Sequence, residues 1–301
     1  MTTTVANIID ELKRDYLFKP HEQPVVVPLL TTIDDSETGI VYKPNFMSAI
    51  EEDSLGNGAL IEIGSELMRV SNIDSTTRAL VVQRGVLGTT AILHTSGDII
   101  TVKPELTRKA IFEAVADSVV NLGPRLYPII TAAYPSADSY IEVDAGVDDI
   151  IHYRYKTSEA VTSVTTYLEG AVELLKNFTP SSTTVAIQTQ NIPSGRTGYL
   201  TYKGKFTRPS DETYDLDTNL IKPEWFLLIR MGALIRIMAI QDLSARNNEF
   251  ISDALQVQGF PVGSGESVDL ALARIYQYLI REAEAWLTKD TPMMVLMNRP
   301  G

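Results

Sequence analysis

The sequence contains no cysteine, which excludes disulfide frameworks, thiolate zinc sites, iron–sulfur clusters and cysteine nucleophiles. Histidine is scarce: His21, His94 and His152 lie in three different segments, with no HExxH-type pairing. A histidine metal centre needs convergence that this spacing does not supply, so the three read as surface or turn residues. Basic charge is in the minority, with 26 Lys and Arg against 38 Asp and Glu and a formal net charge of −12. A protein that tracks phosphates normally carries a basic stripe, so this balance argues against a dedicated nucleic-acid binder. It remains compatible with an acidic channel wall past which DNA slides without sticking. Long apolar runs are also missing. The most apolar window, Trp225 to Ile240, is interrupted by Arg230 and Arg236 and falls short of a membrane span. The opening Met1-Thr2-Thr3-Thr4-Val5 has neither the basic region nor the apolar run of a signal peptide, so a cytoplasm-like compartment and no membrane are expected.

Catalytic signatures are equally sparse. Gly85-Val86-Leu87-Gly88-Thr89-Thr90 lacks the lysine and the strand–loop–helix setting of a phosphate loop, and the glycines of 259–265 lack the lysine too. Both read as turns. The acid doublets Asp34-Asp35, Glu51-Glu52 and Asp148-Asp149 fall in loop-like contexts. Paired acids can hydrolyse glycosides and loop acids can hold calcium, but none of these has EF-hand spacing. No GxSxG elbow is present. The expectation is a protein that is not an enzyme and has no cofactor.

What the sequence does contain is patterning. As a soft prior, 301 residues correspond to about two domains. Residues 1–36 read as a short amphipathic helix (Asn7 to Phe18) followed by an extended arm punctuated by Pro20, Pro24 and Pro28. That arm carries Val25-Val26-Val27, which suits a neighbouring subunit. Residues 37–104 read as a small β-barrel or roll, with strands near 59–63, 66–73, 79–83 and 98–102 separated by glycine turns. Residues 105–136 read as a helix over 105–122, with Glu105 in its first turn, then a proline-interrupted connection over 125–134. Residues 137–220 carry recurrent strand patterns of antiparallel-sandwich type, with a hairpin signal at Glu169-Gly170. Residues 221–290 are helical again: Pro223 suits a first helical position, and Ser267 reads as the cap of a helix whose Val268, Leu272, Ile275, Leu279 and Trp286 share one side. Residues 291–301 are a tail containing Met293-Met294-Val295-Leu296-Met297. The fold class expected is α+β: a helical bundle core, a small β-barrel or roll, and an inserted antiparallel β-sandwich.

Two features sit poorly in a monomer. Arg230 and Arg236 fall inside an apolar helix, where charge is costly unless it snorkels or is paired, possible partners including an acid on a neighbouring subunit. Met293, Met294, Val295, Leu296 and Met297 form an adaptable apolar run that either folds back on its own domain or docks on a partner, with the partner favoured. These seven residues are the candidate interface.

The segment Ile61-Glu62-Ile63-Gly64-Ser65-Glu66-Leu67-Met68-Arg69-Val70, continuing through Val82-Gln83-Arg84-Gly85-Val86-Leu87-Gly88-Thr89-Thr90 to His94, Gly97 and Asp98, resembles a pattern of tailed-bacteriophage structural proteins. In that pattern a β-hairpin leads to an Arg-Gly-x-x-Gly-Thr turn, then a histidine and a glycine before a closing strand. The order of helix, insertion, further helices and tail is similar to head–tail connector adaptors of the phage neck. The resemblance implies a virion protein assembled in the host cytoplasm. It also implies a homo-oligomeric ring, twelve-fold if it matches the portal, with DNA passing through and portal and tail proteins as partners. A tail or baseplate component fits the Arg84-Gly85 pattern equally. A carbohydrate-binding module is a further alternative, with Tyr140, Tyr153, Tyr155, Tyr167, Tyr199 and Tyr202 as stacking candidates, as is a glycan-degrading enzyme using loop carboxylates.

Overall fold

The computed structural model describes residues 3–17, 26–42, 55–56, 58–74, 79–123, 125–135, 140–144, 149–156, 167–169, 171–174, 184–190, 197–240, 251–253, 255–257 and 268–290. Alternating apolar residues in the first β region bury one face of six antiparallel strands: β1 (Val26–Pro28), β2 (Gly39–Val41), β3 (Leu60–Ile63), β4 (Glu66–Asp74), β5 (Ala79–Gln83) and β6 (Ile99–Val102). Their order in the sheet is β1-β6-β3-β4-β5-β2. Val27, Ile40, Ile61, Ile63, Met68, Val70, Leu80, Val82 and Ile100 point into a common core, while Val81 and Ile99 face outward. The sheet is open but curled. A register shift between Val70 and Asn72 adds local twist, and Leu29 and Tyr42, just beyond the two edge strands, meet in a single bridge.

The expected arm is corrected here. Val26, Val27 and Pro28 pair with Thr101, Ile100 and Ile99, so the valines seal the protein's own sheet. Pro28 has no N–H to offer a ladder and is tolerated because β1 is an edge strand.

A second core joins helices that are distant in sequence. These are α1 (Val5–Leu12, continuing as a π turn over Lys13–Leu17), α2 (Arg108–Leu122), α3 (Phe226–Ile240, preceded by a 3-10 turn Pro223–Trp225) and α4 (Val268–Asp290). Ile8, Ile9, Ile111, Val115, Val119, Leu228, Ile229, Leu234, Leu272 and Ile280 belong to one buried cluster. The helix near 105–122 therefore packs with the C-terminal helices, as the patterning suggested. It begins at Arg108 rather than near Glu105, because Thr107 is the N-cap and accepts from the Ala110 amide at 3.1 Å. α2 and α3 approach closely at Gly232, where a side chain would overlap Ser118 Oγ, which donates to the Ile229 carbonyl at 3.0 Å. The α4 stripe also differs from expectation. Ile280, Ala283 and Leu287 are buried with Leu272 and Ile275, whereas Trp286 is 60% exposed.

Between α2 and α3 lie β7 (Ile129–Pro135), β8 (Tyr140–Asp144), β9 (Asp149–Lys156), β10 (Tyr167–Glu169), β11 (Ala171–Leu174), β12 (Thr184–Gln190) and β13 (Thr197–Lys203). They form two antiparallel sheets, β10-β9-β13-β7 and β11-β12-β8. One expectation is corrected. The stretch read as a connection over 125–134 contains β7, which pairs with β13 along its whole length, from Ile129↔Lys203 to Pro135↔Thr197. Gly170 of the expected hairpin turn lies outside the described residues; β10 pairs with β9 and β11 with β12. The architecture is mixed α+β, with several helices and a curled half-barrel.

Candidate interaction site

The Arg84-to-His94 segment converges on one buried carboxylate. Glu66 opens β4 directly after the turn that follows β3, and it has no solvent exposure. Arg84, just beyond β5, grips it through Nε to Oε1 at 2.7 Å and Nη2 to Oε2 at 2.8 Å. The Gly85 amide donates to Oε1 at 3.1 Å and the Ile92 amide to Oε2 at 3.2 Å. His94, buried, places Nε2 2.8 Å from Oε2. Arg84 completes its set on main-chain carbonyls: Nη1 to Asp34 at 2.7 Å and Glu37 at 2.9 Å, Nη2 to Ile92 at 2.6 Å. All five guanidinium N–H groups thus have an acceptor, the condition under which a buried charge is tolerable. Burial pushes the Glu66 carboxyl up, but Arg84, His94 and the Ile92 amide outweigh it and hold the group below the ordinary carboxylate value.

This network ties four stretches of chain together: the start of β4, the turn after β5, the loop through His94, and the 33–37 loop. The His94 amide and carbonyl also exchange bonds with Ile33 at 3.0 and 2.9 Å. Thr89 Oγ1 accepts from the Leu67 amide at 3.1 Å and donates to the Val86 carbonyl at 2.8 Å, which fastens the middle of the loop to β4. Gly85 is needed because its φ is +60° and a Cβ would press on the Thr89 carbonyl at 3.1 Å. The loop held this way exposes apolar side chains. Leu87, at a left-handed φ of 55°, is 60% exposed, Leu93 is 61% exposed, and Ile92 is exposed as well. His94 is therefore not a surface residue. Among the described residues no group of three or more His, Asp or Glu is placed to hold a metal. The chemistry here is that of a clamp, because the Glu66 carboxylate and all five Arg84 N–H groups are committed to holding the loop.

A second polar joint links the half-barrel to the helices. Glu62 of β3, almost fully buried, lies 3.6 Å from Lys13 Nζ and accepts from the Arg108 amide at the start of α2. Burial pushes the Glu62 carboxyl up and the Lys13 amine down, in each case against their mutual attraction. Arg108 itself pairs with Glu212 and Asp10.

The candidate interface arginines find partners inside the chain. Arg230 Nη1 lies 3.0 Å from Glu11 Oε2 on α1, and Arg236 pairs with Asp117 on α2. Asp117 also takes Arg208, which shares Glu113 with Lys109. Each arginine thus has an acid of its own chain beside it, and Arg230 Nε is buried without a hydrogen-bond partner. Met293, Met294, Val295, Leu296 and Met297 lie outside the described residues, as do Ser267 and the glycines of 259–265. Asp34, the first acid of one doublet, closes a local turn by accepting from the Ser36 and Glu37 amides. Of the tyrosines weighed for sugar stacking, Tyr202 is buried and Tyr199 half-buried on β13, an interior strand. The side chains of the other four lie outside those described.

One surface feature had no signal in the sequence. A groove of about 360 Å³ runs between the 3-10 turn preceding α3 and the last turns of α4, floored by Trp225, Leu228, Leu279, Ala283 and Leu287 with Trp286 at its edge. No family model matches this chain, and no curated protein is significantly similar to it. No helix among the described residues is long and apolar enough to cross a membrane.

Proposed function

We propose that this chain is a structural subunit of a tailed-phage virion, a head–tail connector adaptor that assembles as a ring between portal and tail. The observation that carries the reading is the Glu66 clamp. The residues of the Arg84-Gly85-x-x-Gly88-Thr89 and His94 pattern spend their polar groups on fixing a loop, and that loop holds Leu87 and Leu93 out in solvent. A buried network of this kind spends its charges on holding the backbone in place, and a rigid loop with exposed apolar side chains suits protein–protein contact. The chain on this reading is not an enzyme. Its partners are copies of itself in a closed ring, twelve-fold where it meets a portal, and the portal and tail proteins on either side. DNA passes through the channel without sequence-specific contact, which the net charge of −12 favours. In this reading β7–β13 form the two leaves of an inserted sandwich on the ring's outer face.

Cryo-electron microscopy of the intact particle tests this directly. Density for the chain in a ring between portal and tail is the expected result. Density at the distal tail overturns the connector reading and makes the chain a tail or baseplate component.

A further inference from the structure

A line of ion pairs crosses α2: Lys109 to Glu113, Glu113 to Arg208, Arg208 to Asp117, and Asp117 to Arg236. Lys109, Arg208 and Arg236 share the two acids Glu113 and Asp117, so one positive charge within this line is left over. Arg236, on α3, stands at its end. Among the described residues only its Nη1 is engaged, by Asp117, which leaves the N–H groups of Nε and Nη2 without an acceptor. Arg125, just past α2, is gripped by Glu284 through Nε and Nη2 and turns Nη1 to Gln277 Oε1 at 3.1 Å.

Both guanidinium groups line a cleft of about 420 Å³ between α2, α3 and α4, a volume that suits a small molecule. Their acid partners Asp117 and Glu284 are not among the residues lining it, so the cleft is bordered by the cations and not by the acids. At Gly232 of α3 the Ser118 hydroxyl and the edge of the Tyr276 ring come close enough to take the space of a Cβ. Ile235, Ala273 and Ile280 supply apolar walls. The Tyr276 hydroxyl and the Asn121 side-chain amide belong to the same lining and have no hydrogen-bond partner among the described residues. Burial pushes the Tyr276 hydroxyl up, against the pull of Arg125 and Arg236, so it stays a donor. Uncommitted donors from three helices thus meet in one apolar cleft with no carboxylate to receive them.

We propose that this cleft binds a small organic carboxylate, with Arg236, Tyr276 and Asn121 donating to its oxygens and its apolar body lying on Ile235, Ala273 and Ile280. A guanidinium presents paired N–H groups that match the two oxygens of a carboxylate. The left-over charge of the ion-pair line supplies the counter-charge, and the apolar walls set such a ligand apart from a bare inorganic anion. A free small molecule is favoured over an acid of another protein because the site is a concave cleft between three helices rather than a flat face. The inference goes beyond the connector reading and requires neither a ring nor a phage.

Titration of the full chain with benzoate tests this by nuclear magnetic resonance, read at the Arg236 Nε–H and Asn121 side-chain amide signals. Saturable shifts in the millimolar range or below are expected. Benzamide keeps the body without the charge, and acetate keeps the charge without the body. Each should bind about tenfold more weakly than benzoate. Arg236→Met should weaken benzoate binding about tenfold, and Tyr276→Phe or Asn121→Ala about threefold, with the fold of each variant checked by circular dichroism. If Arg236→Met does not fold, the other two decide, because they remove only groups that have no partner among the described residues. Absence of saturation by benzoate, or equal affinity in wild type and variants, overturns the proposal. Inorganic phosphate binding as tightly as benzoate also overturns it, since charge alone then suffices. Self-association that benzoate reverses does so too, because the occupant is then an acid of a second copy.

Discussion

Glu66 and His94 are 28 positions apart in sequence, yet Glu66 Oε2 lies 2.8 Å from His94 Nε2 in the interior of the half-barrel. A carboxylate oxygen can only accept, so Nε2 donates in this contact. The other ring nitrogen lies 3.9 Å from Asp98 Oδ2. The loop between Arg84 and His94 is thus anchored at both ends to one carboxylate, and the stability of the half-barrel depends on that carboxylate being charged.

Replacing Glu66 with glutamine preserves shape but leaves the buried Arg84 without its counter-charge and turns an acceptor into a donor. Glu66→Gln should lose about 3–5 kcal/mol in urea denaturation, the usual cost of breaking a buried pair. A loss below about 1 kcal/mol would mean that the main-chain carbonyls alone can hold Arg84.

The same carboxyl sets an acid limit. Its folded value lies below the ordinary 4.5, so the unfolded state takes up a proton first as pH falls. Its contribution is complete above pH 4.5 and drains away as pH drops through the folded value. Wild-type denaturation midpoints should decline below that point. Glu66→Gln should flatten the decline, and an unchanged slope in the variant would assign the acid limit to other groups.

Gly85→Ala places a Cβ at a left-handed φ and against the Thr89 carbonyl. The left-handed conformation alone costs about 1–2 kcal/mol. The melting temperature should fall, whereas alanine at Gly39, where a Cβ meets nothing within 4 Å, should leave it close to wild type. Equal effects at both positions would argue against a special role for the turn.

Gly232→Ala should destabilise the helical core by about 1–3 kcal/mol through overpacking against Ser118. Adding Ser118→Ala removes the overlapping oxygen and should recover part of the loss. A double-mutant cycle checks this, and strictly additive effects would show that the two helices do not meet there.

Arg236→Glu sets an acid beside Asp117, and Arg230→Glu one beside Glu11. Both should lower stability by about 1 kcal/mol at low salt, with the loss shrinking as salt rises. Gel filtration below the melting temperature should show unchanged assembly. Altered assembly with unchanged stability would return these residues to an inter-subunit role.

Four of the six half-barrel strands, β3 to β6, were legible because their limits coincide with glycines that the backbone needs, whereas β1 was read as an arm and β2 went unread. Gly64, Gly85 and Gly97 have positive φ, and the strands between them match the alternating pattern to within about a residue. The run after Pro128 was misread for the opposite reason. Two prolines bracket β7, and proline suits the ends of an edge strand as readily as it suits a loop. Glu66 carried no signal at all, since an acid at the start of a strand looks outward until Arg84 and His94 arrive from elsewhere in the chain. Arg230 and Arg236 were recognisable as costly, but their partners lie on α1 and α2, far away in sequence. Trp286 lies at the fringe of the α4 stripe, where periodicity does not separate a buried side chain from one left uncovered near a helix end.

The pairing of Ile129 with Lys203 has a further consequence, reinforced by the Gly204 amide donating to the Pro128 carbonyl at 2.9 Å. The chain departs from the helices and returns to them through neighbouring strands, so everything between is a cassette hung from one paired stem. Such a cassette can grow, shrink or be exchanged for another without moving the helices that carry it. A lineage could then change what the molecule touches while inheriting its scaffold intact.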